Sequence, residues 1–136
     1  MWKMKTIYGG RRAKIIFWLL MMKGMPFMTN YNFGEVVLVG FPQHNGTIKK
    51  RPALVVLDIG DADIVLAPIT TTKRIAAGDY ELKDWSSESG LLKKSWVRLA
   101  KVSCLEKSAI VHSLGLLSNN DLSQIIEIWQ NLYPQK

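Results

Sequence analysis

The chain has 136 residues, 48% apolar and 21% charged, which suits one domain with one core and excludes a disordered chain. Its formal charge of +7 is unevenly spread. Lys3, Lys5, Arg11, Arg12, Lys14 and Lys23 precede residue 28 with no acid among them, whereas from Met28 onward 12 basic residues face 11 acidic ones, so overall basicity is a poor argument for a polyanionic partner.

Residues 1–27 differ in kind from the rest. A basic stretch leads into the apolar run Ile15-Ile16-Phe17-Trp18-Leu19-Leu20-Met21-Met22, which Lys23 ends. The pattern resembles a signal peptide, yet no Ala-x-Ala-like site follows, and the run falls short of the about 20 residues that cross a bilayer. Met28-Thr29-Asn30 makes a natural domain start. The expected division is therefore an N-terminal extension, 1–27, and a domain, 28–136. The extension is either upstream sequence read from a misplaced start or a targeting segment whose residues 15–22 touch a membrane surface.

Within the body, Gly34 to Pro42 predicts a strand, rich in β-branched residues and bounded by Gly and Pro. Gln43 to Lys50 reads as a polar loop turning at Asn45-Gly46. Pro52 opens a second strand through Leu57, because a strand's first residue tolerates proline. An acidic turn around Gly60 leads to a third, nearly all-apolar strand, Ile64 to Ile69, read as buried on both sides. Thr70 to Ala77 is a loop, Tyr80-Glu81-Leu82 an edge strand, and Trp85 to Gly90 a serine-rich loop. Ser95 to Val102 alternates like one half-buried strand, with Trp96 read as core. Cys104 reads as a small core hydrophobe; a single thiol excludes an internal disulfide and gives no sign of an oxidising compartment. Ala109 to Leu114 is a last strand. Ser118-Asn119-Asn120-Asp121 caps a final helix whose apolar face is Leu122, Ile125, Ile126 and Trp129. The fold class is mainly β with a C-terminal helix, a small antiparallel barrel or rolled sheet.

Common enzyme signatures are missing: no Gly-x-x-x-x-Gly-Lys, Gly-x-Gly-x-x-Gly or Gly-x-Ser-x-Gly occurs, and His44 and His112 lack metal-ligand spacing. No metal or cofactor is expected. What remains is cationic and hydroxylic. Lys49-Lys50-Arg51 ends one loop, Thr70-Thr71-Thr72-Lys73-Arg74 opens another, and Lys93-Lys94-Ser95 precedes the strand carrying Arg98. Three loops of one small barrel converging on a rim would hold a backbone phosphate, because guanidinium binds phosphate bidentately and hydroxyls add donors. The bland readings stay open: Lys49-Lys50 as a solvated loop, the threonines as a strand exit, Arg51 paired with Asp58 or Glu35.

Taken in order, Gly34-Glu35-Val36-Val37-Leu38-Val39 with Phe41-Pro42, Lys50-Arg51-Pro52-Ala53-Leu54-Val55-Val56, Pro68-Ile69-Thr70, Gly90 to Ser95 with Val97-Arg98-Leu99, and Leu114-Gly115 with Leu117-Ser118 resemble the MazF/PemK toxins of type II toxin–antitoxin pairs. The resemblance implies an SH3-like barrel, a homodimer and a cytoplasmic protein. It also implies metal-independent, sequence-preferring cleavage of single-stranded RNA, and a cognate antitoxin partner. The chemistry it implies is attack of the ribose 2′-OH on the adjacent phosphorus, leaving a cyclic phosphate and a 5′-OH. Arg51 falls on the family's arginine and Thr70 on its threonine. Lys49, Lys50, Thr71, Lys73, Arg74, Lys93, Lys94, Ser95 and Arg98 are the expected nucleic-acid contacts.

One departure from the family pattern matters. Some members carry an aspartate and a second arginine where this chain has Lys93-Lys94-Ser95. Ser95 stands in the aspartate's place, Lys93 or Arg98 replaces the second cation, and Glu35 and His44 are the candidate general bases. The other readings of the same resemblance are a catalytically weak RNA- or DNA-binding module and a gyrase-inhibiting toxin that binds protein.

Overall fold

Valine-rich segments joined by short polar turns pair in sequence order. In the computed structural model, which describes residues 30–132, β1 (Glu35–Pro42) and β2 (Ile48–Leu57) form an antiparallel hairpin in which Val39 faces Arg51 and Phe41 faces Lys49. The turn is tight. Gln43 N–H donates to Thr47 O at 2.8 Å, Asn45 Oδ1 accepts from both Thr47 N and Thr47 Oγ1, and Gly46 takes φ +83°, a conformation open to glycine. The hairpin therefore closes earlier than the sequence suggests. Lys49, Lys50 and Arg51, expected at the end of a loop, are strand residues, and Pro52 lies inside the strand rather than at its start. The boundary expected at residue 28 and the apolar run 15–22 lie outside the described residues.

β3 (Asp63–Thr70) pairs with β2 along Leu54–Ala67 and Ala53–Pro68. The recorded ladder ends there, beside Pro52 and Pro68, as suits residues without an N–H. The other edge of β3 is shared. β5 (Trp96–Arg98) pairs with Ile69 and Thr70, and β6 (Ser103–Glu106) pairs with Asp63 to Leu66. The segment 95–102, expected as one strand, is thus broken by a 3₁₀ turn at Leu99–Lys101. The break sinks Leu99 fully into the core, where its N–H donates to Gly78 O at 2.8 Å. β4 (Asp79–Glu81) pairs with β5, and β7 (Ile110–Leu116) pairs with β1.

The sheet order is β4-β5-β3-β2-β1-β7, with β6 also on β3. β4 and β7 end this path without meeting, so the expected barrel is an open, seven-stranded antiparallel sheet. Both faces of the central strands β1, β2 and β3 are covered, which explains their nearly continuous apolar sequence. One core gathers Val36, Leu54, Ala67, Ile69, Val97 and Leu99 against Ile125; the other gathers Val37, Val39, Ala53, Val55, Ile64 and Leu66. The alternation of β1 and β2 feeds both.

The helix α1 (Asn119–Leu132) starts at Ser118, whose Oγ accepts from Asp121 N at 3.1 Å, the expected cap. Leu122, Ile125, Ile128, Trp129 and Leu132 pack on the sheet. Ile126, expected on that face, is 45% exposed because the stripe follows steps of three and four from Ile125 and Ile126 falls to its flank. Truncating the buried Ile125 to alanine would cost about 2–5 kcal/mol. Cys104 also departs from expectation: it lies on the uncovered side of the edge strand β6 and is exposed. Among the described residues, no helix is long and apolar enough to cross a membrane.

Candidate functional site

Arg51 follows from the hairpin register. It shares a sheet face with Ala53 and Val55, faces Val39, and lies just beyond the last recorded β2–β3 pair. Extending that register by two residues brings Arg51 and Thr70 to facing positions, on the side of Pro68. No hydrogen bond or ion pair engages the exposed Arg51 side chain among the described residues, and neither of its anticipated partners is available. The Asp58 side chain is buried and bound to Lys107 Nζ at 2.9 Å and to Tyr31 N at 2.7 Å. Glu35 accepts from Asn32 N at 2.8 Å and Ser113 Oγ at 3.5 Å.

Beside Arg51 lies a cleft of about 600 Å³ lined by Phe41, Pro42, Gln43, His44, Arg51, Pro68 and Ser103. The end of β1 and its turn form one wall, Arg51 a second, and β3 with β6 a third. The cleft offers one guanidinium, one imidazole, one amide and one hydroxyl around an apolar surface of an aromatic ring and two prolines. That combination suits an anionic group attached to a flat, partly apolar one, such as a nucleotide.

Thr70 is half-buried, and its Oγ1 accepts from Thr72 N at 3.1 Å, which shapes the loop exit and leaves the hydroxyl hydrogen free to donate. Pro68, two residues earlier on the same face, reaches the cleft; Thr70 is not among its lining residues. Thr71, Lys73 and Arg74 are exposed on the following loop, as is Lys93 on its own, and these three cations form no ion pair among the described residues. Lys49 and Lys50 are exposed on β2, with Lys49 on the face of Arg51 and Lys50 on the opposite one.

Two cations expected from the third loop and its strand, Arg98 and Lys94, are committed elsewhere. Arg98 Nε donates to Asp79 Oδ1 at 3.3 Å. Lys94 lies 3.5 Å from Glu81 Oε1 and 5.9 Å from the Trp96 ring centre. A hydrogen bond from Lys83 holds the Glu81 carboxyl below its usual range, with Lys94 adding to the effect. Ser95 is 1% exposed and donates to Lys93 O at 2.8 Å. The cleft is built from the β1–β2 hairpin, β3 and β6, and none of Thr71, Lys73, Arg74, Lys93, Lys94 and Ser95 lines it.

Sequence reasoning missed Phe41, Pro42, Gln43, Pro68 and Ser103 as a set. The signal was present in part, since a hairpin turning at Asn45-Gly46 carries Phe41 onto the face of Arg51. It also missed Asp121, a fully buried carboxylate. Asp121 accepts from Tyr80 Oη at 2.7 Å and from Lys83 N and Asp84 N at 3.0 Å each, while Ser118 Oγ donates to Asp84 Oδ2 at 2.7 Å. Burial, then the bond to Asp121, pushes the Tyr80 phenol well above its usual pKa. This network joins α1 to the loop after β4 and stands apart from the cleft. Among the described residues no group of three His, Cys, Asp or Glu side chains is placed to hold a metal ion.

Residues 32–131 match the family model described as PemK-like, MazF-like toxin of type II toxin-antitoxin system. Solved structures share the fold. An endoribonuclease from a mycobacterial species aligns with TM-score 0.61 at 20% identity, covering 78% of this chain and 93% of that one. An endoribonuclease in complex with its cognate antitoxin, also mycobacterial, gives 0.62 at 19%, covering 78% and 99%. MazE–MazF from Deinococcus radiodurans gives 0.61 at 16%, covering 80% and 100%. No curated protein sequence matches the chain.

Proposed function

The chain belongs to the PemK-like, MazF-like toxins of type II toxin–antitoxin systems, and from that membership we propose that it is a metal-independent endoribonuclease cutting single-stranded RNA at preferred short sequences. One observation carries the reading: Arg51 is an uncommitted guanidinium on the wall of a cleft of about 600 Å³, whereas Arg98 is tied to an aspartate. A scissile phosphate held by Arg51 is attacked by the neighbouring 2′-OH. As charge builds on the non-bridging oxygens, Arg51 neutralises it and Thr70 donates a hydrogen bond to one of them. Arg51 acts as a fixed cation and hydrogen-bond donor rather than as a base, because an arginine guanidinium has no acceptor nitrogen and stays protonated in proteins.

The relatives solved with an antitoxin support a cognate antitoxin for this chain. Its acidic, partly disordered segment would fold over the exposed cations near the cleft, and the toxin itself would act as a homodimer. The test of the activity is incubation of the purified protein with single-stranded RNA of varied sequence in EDTA. Fragments ending in a 2′,3′-cyclic phosphate and a 5′-OH are the expected products; intact RNA across all sequences would sink the reading. A binding-only module is the second reading, favoured by the lack of any carboxylate among the described residues that line the cleft. Salt-dependent RNA retention without cleavage would support it.

A further inference from the structure

We infer that His44 accepts the 2′-OH proton in this cleavage; the inference rests on the ribonuclease reading and names the group that the reading leaves open. A ribose hydroxyl is a weak nucleophile until its proton leaves, and none of the other candidates is placed to take it. Arg51 stays protonated, and Thr70 and Ser103 are hydroxyls with no base beside them. Ser95, at the position where some relatives carry an acid, is buried and bonded to a backbone carbonyl. Glu35 sits four residues along β1 from Val39, the partner of Arg51. At roughly 3.3 Å per residue that is about 13 Å of strand. Asp58, Asp79 and Glu81 are each engaged by a lysine or arginine.

Among the described residues lining the cleft with Arg51, His44 is the one that carries an imidazole, the side chain that most often serves as a general base. It stands on the hairpin turn, whose backbone is held by the bonds between Gln43, Asn45 and Thr47, and no hydrogen bond engages its ring among the described residues. Both ring nitrogens are open to a substrate. Arg51 on β2 and His44 on the hairpin turn line the cleft together with Phe41 and Pro42. A phosphate on the guanidinium and a ribose over the apolar surface direct the 2′-OH toward the turn.

In the step itself, a neutral imidazole nitrogen takes the 2′-OH hydrogen as the 2′-oxygen bonds to phosphorus. The P–O5′ bond breaks, its electron pair leaves on O5′, and solvent water protonates that oxygen. The imidazolium then returns its proton to solvent. The charged groups on the same face are Arg51 and Lys49 of β2; Pro68 of β3 and Ser103 of β6 bring no charge to the cleft.

The test measures single-turnover cleavage of single-stranded RNA in EDTA against pH for the full chain and for H44Q, H44A and R51A. The wild type is expected to slow toward acid pH as imidazole becomes protonated. H44Q cleaves about 100-fold more slowly and loses that acid limb. Added imidazole restores part of the H44A rate, while RNA binding by H44Q changes less than about twofold. If H44Q cleaves within about twofold of wild type with its acid limb intact while R51A is inactive, the ribonuclease reading stands and the inference about His44 falls. A slow H44Q that keeps the limb, with no imidazole rescue of H44A, makes His44 a binding contact and also overturns it. A wild type that cuts no RNA overturns both.

Discussion

Arg98 on β5 lies directly opposite Asp79 on β4, its Nε 3.3 Å from the Oδ1 of a side chain that is 2% exposed. The pair closes the outer edge of the sheet, and Asp79 Oδ2 also accepts from Ala76 N at 3.2 Å. Removing the arginine leaves a buried carboxylate without its counter-charge. R98A is expected to lower unfolding free energy by about 3 kcal/mol, read from urea melts. A loss under about 0.5 kcal/mol would show the pair to be solvated.

Arg51 gives the opposite profile. It is exposed and has no partner to abandon, so R51A should leave the urea midpoint within about 0.5 kcal/mol of wild type. Cleavage should fall about 100- to 1000-fold, the usual cost of losing one donor to a developing oxyanion. R51K should recover only part of the rate, because an ammonium lacks the bidentate fork. An R51A enzyme that cuts RNA at the wild-type rate would remove Arg51 from the reaction.

Tyr80 links stability to alkaline pH. Burial and the bond to Asp121 raise the phenol above its usual 10.0. The unfolded chain releases this proton near that value while the folded chain keeps it. Stability is therefore complete below pH 10 and declines as pH rises above it, since the unfolded state then binds fewer protons. Y80F should cost about 2 kcal/mol at neutral pH by removing a donor from a buried carboxylate. It should also lose part of the alkaline decline, measured by denaturation between pH 8 and 11. An identical alkaline slope in Y80F would contradict the assignment.

Gly115 tests how closely β7 approaches the serine-rich loop. A Cβ there would run into the backbone carbonyls of Glu88 and Ser89, and Leu116 N–H donates to Glu88 O at 2.9 Å on the same contact. No rotamer relieves a backbone clash. G115A is expected to destabilise by about 3 kcal/mol or more, visible as a lowered thermal midpoint. A midpoint unchanged from wild type would mean that the loop gives way freely.

The parts of the fold legible in the sequence are those set by local chemistry. Val36 to Val39 and Val55 to Leu57 are β-branched or apolar runs, Asn45-Gly46 is a turn, and Ser118 before Asn119 is a helix cap. The break of 95–102 at Leu99 was not legible. Alternation alone does not reveal that one chain segment serves both ends of β3, because that depends on which edge of β3 is vacant. The exposure of Cys104 is not legible for a similar reason, since a strand residue is buried only if something covers its face.

By itself the sequence determined most of the strands, the closing helix and the ordered segments that mark the family, because backbone preference and side-chain period act over a few neighbouring residues. It also singled out Arg51 and Thr70. The tertiary structure decided which charges remain available. Arg98 is neutralised by a residue 19 positions away, Lys94 lies against Glu81, and Ser95 is sealed in the core, while Arg51 and His44 open onto one cleft. Coulomb and hydrogen-bond partners act within about 3–4 Å in space, and that neighbourhood is created by strand register and sheet order rather than by position along the chain.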